Sequence, residues 1–158
     1  MASLCKININ DHAGLRKKID ALCEQSDSLD LANWAILCAR RVLPLAKLCD
    51  ADMQIVEDGF RINALCQAGK AGVHALRQAG FSIHRIARNY PSDTKKNALR
   101  AAGHAVGTGH MKEHAMVCSD YVIKTLELAF PGHGEIIERE RTWQCDALNG
   151  IRDRHEES

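Results

Sequence analysis

The chain is 158 residues long and 46% hydrophobic, enough to bury a core in one domain over residues 1–158, and its 21 Lys and Arg stand against 20 Asp and Glu for a net charge of +1. Near-neutrality excludes the global field that draws a protein to nucleic acid or anionic membranes, and no stretch approaches the roughly 18 apolar residues of a membrane span. The N-terminus, MASLCKININDHAG, lacks a basic start followed by an apolar run, so the expectation is a soluble, cytoplasmic protein.

Three prolines, sparse β-branched residues and a recurring period of 3.6 predict an all-α fold. A first helix is expected over residues 11–25, capped by Asp11 or Asn10. The next, over 28–48, is apolar over well over half its circumference through Trp34, Ile36, Leu37, Leu43 and Leu48, which predicts a central buried helix bent at Pro44. After the acidic turn Cys49-Asp50-Ala51-Asp52, a helix over 53–68 carries Gly59 as a weak point or a break. Another follows over 71–89, with Val73, Leu76, Gly80, Ile83, His84 and Ala87 inward. Tyr90-Pro91-Ser92 ends that helix and caps the next. Helical periodicity then runs from 93 to about 130, with the glycines at 107 and 109 marking a kink or break near His110. Pro131-Gly132-His133-Gly134 is a loop, and a last amphipathic helix reaches about residue 148 or beyond. The sum is a compact bundle of six or seven helices, with 29–48 and 93–129 at its centre.

The seven cysteines, Cys5, Cys23, Cys38, Cys49, Cys66, Cys118 and Cys145, are scattered, odd in number and never form CxxC. They read as single thiols in a reducing compartment. Cys38 and Cys49 share a stripe with Leu31, Trp34, Val42 and Leu45, the behaviour of small buried hydrophobes.

Residues 102–115, AGHAVGTGHMKEHA, hold three histidines and three glycines in fourteen positions. Projected as one helix at about 100° per residue, His104, Gly107, Met111, His114, Ala115, Cys118 and Val122 share a stripe, with His110 and Tyr121 at its edge. Lys112, Glu113, Asp120 and Lys124 fall on the other side. His110 and His114 have the i, i+4 spacing that lets two imidazoles reach one metal ion, and His104 is the nearest third candidate. Against a metal, Met111 stands where a metallopeptidase helix has Glu, and no acid is placed to complete the ligands. A thiolate–imidazole pair of Cys118 and His114 is one turn apart but lacks an oxyanion hole or an orienting group. GTG at 107–109 lies inside a helical pattern and is not a phosphate loop. The alternative is structural: small residues at 101–109 admit a close helix crossing, and the histidines hydrogen-bond within the core. Charge is also uneven. Arg77, Arg85, Arg88, Lys95, Lys96 and Arg100 face only Asp93 between 77 and 100, while 50–58 carries four acids. Each segment is either a partner surface or a solvated helix face.

The same segment resembles the all-α immunity proteins of bacterial polymorphic toxin systems, the immunity-five-like group. Its distinctive form is A-A-G-x-A-V-x-T-x-H-[VM]-x-x-H-A, which Ala101 to Ala115 match through Gly103, His104, Thr108, His110 and His114, followed by Tyr121. Trp34-Ala35 with the run from Cys38 to Leu45, then Arg61 to Ala68, then Glu138 to Gln144 with Trp143, resemble further family blocks. The chain departs at Phe60-Arg61-Ile62, where the family often has Arg-Pro after an acid, and at Gln67 or Lys70, where it often has tryptophan. The resemblance implies a cytoplasmic protein that binds a cognate toxin stoichiometrically, without catalysis or cofactor. A second reading is a small-molecule or metal site at His104, His110, His114 and Tyr121. A third, nucleic-acid binding through residues 77–100, is disfavoured by the balanced charge.

Overall fold

Side chains that accept a backbone N–H mark several of the helix starts in the computed structural model, which describes residues 3–157. His12 accepts from Leu15 to open α1 (Ala13–Glu24), so neither Asp11 nor Asn10 is the cap. Asp27 accepts from Asp30 at 2.8 Å and opens α2 (Ser28–Ala46). Pro44 lies in the last turn of α2, where it ends the helix instead of bending its middle, and Lys47 follows in the left-handed conformation at φ 47°.

The acidic turn is itself helical. Asp50 and Asp52 occupy the first turn of α3 (Asp50–Gln67), where their charge complements the helix dipole. Gly59 does not break α3: a Cβ there would stand 2.9 Å from Ile83, so the glycine lets α3 press against α4 (Val73–Asn89). Ser92 caps α5 (Asp93–Gly107), and α6 (His114–Ala129) and α7 (Gly134–Glu157) complete an all-α bundle of seven helices, with no strand among the described residues. The last helix continues beyond Leu148 to Glu157.

At the centre, α2, α5 and α6 pack on one another; α3 and α4 cover one side, and α1 and α7 the other. Trp34 is fully buried and donates its indole N–H to the Gln144 carbonyl at 2.9 Å, joining α2 to α7. Arg41 lies 4.0 Å over the Trp143 ring and pairs with Glu140 at 2.8 Å. Cys38 follows the expected stripe and is buried, but Cys49, beyond the end of α2, is exposed. Leu37 is likewise exposed, as is Val73, the first residue of α4.

Asp120 is the largest departure from the helical projection. Assigned to the solvent side, it is buried and pairs at 2.8 Å with Arg16 and at 2.7 Å with Arg141. Arg141 is itself fully buried and also binds Asp11 at 2.7 Å, Gln144 Oε1 at 2.9 Å and Ser119 Oγ at 3.1 Å. One guanidinium therefore ties the approach to α1, the middle of α6 and α7 together, with its fork of donors matched to four acceptors. All seven cysteines are free thiols, and no helix of the described residues is long and apolar enough to cross a membrane.

Candidate functional site

The chain reverses between α5 and α6 because of what lies at 107–111. Successive short bonds, Gly109 N–H to Val106, His110 N–H to Gly107 and His114 N–H to Met111, wind the segment into tight turns. Asn63, fully buried on α3, donates its side-chain amide to the Val106 carbonyl at 3.1 Å and so satisfies the end of α5. Gln67 in turn donates to Asn63 Oδ1. This break removes the continuous stripe: Met111 is exposed, and Cys118 is buried with its thiol donating to the Ala35 carbonyl at 3.3 Å, away from any imidazole bond. Burial pushes the Cys118 thiol well up from its ordinary value, which leaves it unreactive.

The histidines nevertheless converge, because the reversal folds α6 back against α5. His104 Nδ1 and His114 Nδ1 stand 2.9 Å apart, and the His104 ring stacks on Tyr121 with centroids 5.2 Å apart. His110 approaches His114 with centroids at 5.4 Å. Thr108 is buried and donates its hydroxyl back to the His104 carbonyl at 3.1 Å. A fourth imidazole, His84, joins from α4, 4.9 Å from His104 in an edge contact. The sequence placed His84 on the inner face of α4 without joining it to the cluster; Gly80 one turn earlier, and Gly103 on α5, were the signal that the two helices meet closely there. Gly103 makes the contact feasible, since a Cβ at that position would lie 2.5 Å from the His84 ring.

Burial dominates the electrostatics. It pulls His104 down to about 3 and His84 to about 4, with neighbouring positive charge adding to both shifts. His110 and His114 are lowered for the same first reason. Arg100 donates to His84 Nδ1 at 3.0 Å, so the proton of the neutral ring is on Nε2. His104 and His114 spend their facing nitrogens on each other, and among the described residues no group of three or more His, Cys, Asp or Glu is arranged to hold a metal ion. Among the described residues, His110 Nδ1 is a buried atom without a hydrogen-bond partner.

Two hollows flank the imidazoles. One, of about 110 Å³, lies between α4 and the turn and is lined by Arg77, Phe81, His84, Gly103, His110 and His114 among others. The other, of about 240 Å³, lies across the His104–His114 pair beneath Lys6 and Ile7 and reaches Tyr121. Trp34 and Trp143, from the same set of signature residues, belong to the α2–α7 contact and not to these hollows.

The charged segments separate as well. Arg77, Arg85 and Arg88 are exposed on α4, and none of them forms an ion pair among the described residues. Lys95, Lys96 and Arg100 on α5 are half-buried; Lys95 lies 5.7 Å over the Tyr90 ring. Three of the four acids of 50–58 are engaged internally: Tyr90 donates to Asp52, and Glu57 and Asp58 pair with Arg40 and Arg61 at 2.7 and 3.5 Å, while Asp50 is exposed.

A seven-helix bundle with an imidazole cluster at the α5–α6 reversal and, beside it, a basic helix whose exposed arginines form no ion pair among the described residues defines an all-α protein whose signature segment shapes a cleft and the surface around it. The chain belongs to the Imm-5 like putative immunity protein family, whose sequence profile matches residues 21–151. No curated protein and no solved structure matches it.

Proposed function

We propose that this protein binds a cognate protein toxin of its own system and blocks it stoichiometrically, as a single all-α domain without chemistry or cofactor of its own. Family membership over residues 21–151 is the observation that carries this reading. The outer face of α4 supports it. Phe81 is 55% exposed there, one helical turn from Arg77 and one from Arg85, and an exposed aromatic between arginines has the composition of an interface hot spot. Three of the four acids of 50–58 have partners within the chain, whereas Arg77, Arg85 and Arg88 form no ion pair among the described residues, so the basic face is the stronger candidate surface. A positive face of this kind speeds and orients encounter with an acidic partner.

Co-expression with the toxin encoded beside it tests the proposal. Cells producing both proteins are expected to grow, and the two proteins to elute as one complex. Killing that is unchanged by this protein, with no complex formed, overturns it.

A further inference from the structure

The hollow between α4 and the α5–α6 turn is too small for a cofactor or nucleotide. Ligand pockets for such molecules run to about 300–1,000 Å³, and a water occupies about 30 Å³ of liquid, so about 110 Å³ holds the end of one side chain. Its chemistry is one-sided. Among the described residues no Asp or Glu lines it, Arg77 stands in its wall, and Arg85 and Arg88 extend the same charge along α4 without forming an ion pair. Glu113 opens onto the opposite hollow, across the His104–His114 pair. Among the described residues the buried Nδ1 of His110 has no hydrogen-bond partner, and the His110 ring lines the cleft. Phe81 supplies an exposed apolar surface at the same wall.

We propose that this cleft receives the carboxylate side chain of an Asp or Glu from the protein partner, with the Arg77 guanidinium and the protonated Nδ1 of His110 donating to the carboxylate and Phe81 covering its methylene stem. The occupant is a partner's side chain because the cleft is of side-chain size and continuous with the exposed basic face of α4. Hydrogen bonds from a guanidinium to a carboxylate are among the strongest available to such an anchor. The inference rests on the toxin-binding reading of the protein.

Two arms test it on the full chain. In the first, histidine side-chain ¹⁵N resonances are followed during titration with capped aspartate, capped asparagine and zinc chloride. Capped aspartate is expected to shift His110 and His84 saturably, capped asparagine to shift neither, and Arg77→Ala, at an exposed position that leaves the fold intact, to weaken the aspartate response about tenfold. Equal response to both amides, or saturable response to zinc alone, overturns the proposal. In the second arm the toxin is offered to wild type and to Arg77→Glu, with His110→Asn as a milder variant at the same cleft. Protection by wild type that both variants lose supports the anchor. Protection that both retain overturns the cleft while leaving the toxin reading standing. Failure of the wild type to protect overturns the toxin reading itself, and a capped-aspartate response alongside that failure assigns the cleft to a free carboxylate and overturns the protein partner.

Discussion

His104 and His114 face each other through their Nδ1 atoms at 2.9 Å across a reversal of the chain, so one of the two nitrogens carries a proton and the other accepts it. Two protonated nitrogens would repel at that distance. The pair is therefore a lock between α5 and α6 that works only while the rings are not both charged, and His84 behind it is held neutral by burial and by Arg100.

Acid should loosen this region. The folded values of about 3 for His104 and about 4 for His84 lie below the ordinary 6.5, so between these limits the unfolded chain binds more protons than the folded one. Stability is then fully present above pH about 6.5 and falls as pH drops toward 4, by roughly 3 kcal/mol from His84 alone. The melting temperature is expected to fall between pH 7 and 5, before most carboxylates titrate, and to fall less steeply in His84→Gln. A flat profile over that interval contradicts the assignment.

Two glycines on facing helices should respond oppositely to alanine. At Gly103 a Cβ would meet His84 at 2.5 Å, and yielding would cost the ring its bond from Arg100; Gly103→Ala is expected to destabilise by about 1–3 kcal/mol despite its better helix propensity. At Gly80 the nearest atom would be the Gly103 carbonyl at 3.7 Å, an ordinary contact, so Gly80→Ala should stabilise by about 0.5–1 kcal/mol. Urea denaturation of both variants checks the pair, and equal signs would show that the helix crossing is looser than described.

Arg141 should be the least replaceable charged residue. Removing it as Arg141→Ala strands Asp120 beside a single remaining arginine and costs about 3–5 kcal/mol. Lysine should rescue little, because one ammonium cannot span acceptors on Asp11, Asp120, Ser119 and Gln144. Equilibrium unfolding that changes by less than about 1 kcal/mol in Arg141→Ala would mean that the network is dispensable.

The helices were legible in the sequence because their apolar spacing, Pro91, and the glycines after α3 and before α7 are local signals. The family resemblance was legible for the same reason, being carried by contiguous residues such as those at 101–115. The site was legible only in part. His104, His110, His114 and Tyr121 do gather, but by a chain reversal at 107–113 and not by the continuous stripe that a single helix would give, so Cys118 leaves the group and Met111 turns outward. His84 comes from a different helix, and no periodicity within α4 or α5 pairs it with Gly103. Asp120 and Arg141 escaped for a related reason: a helical projection ranks residues by polarity, and buried ions are satisfied by partners more than a hundred residues away, such as Arg16 to Asp120.

Stoichiometric blockade of a toxin is the central claim, and titration of purified toxin with this protein tests it most directly. Toxin activity should fall linearly and vanish at one equivalent, with loss that persists only while the complex persists. Activity that survives several equivalents, or that disappears with a small fraction of an equivalent as turnover would produce, would contradict a protein that acts by binding alone.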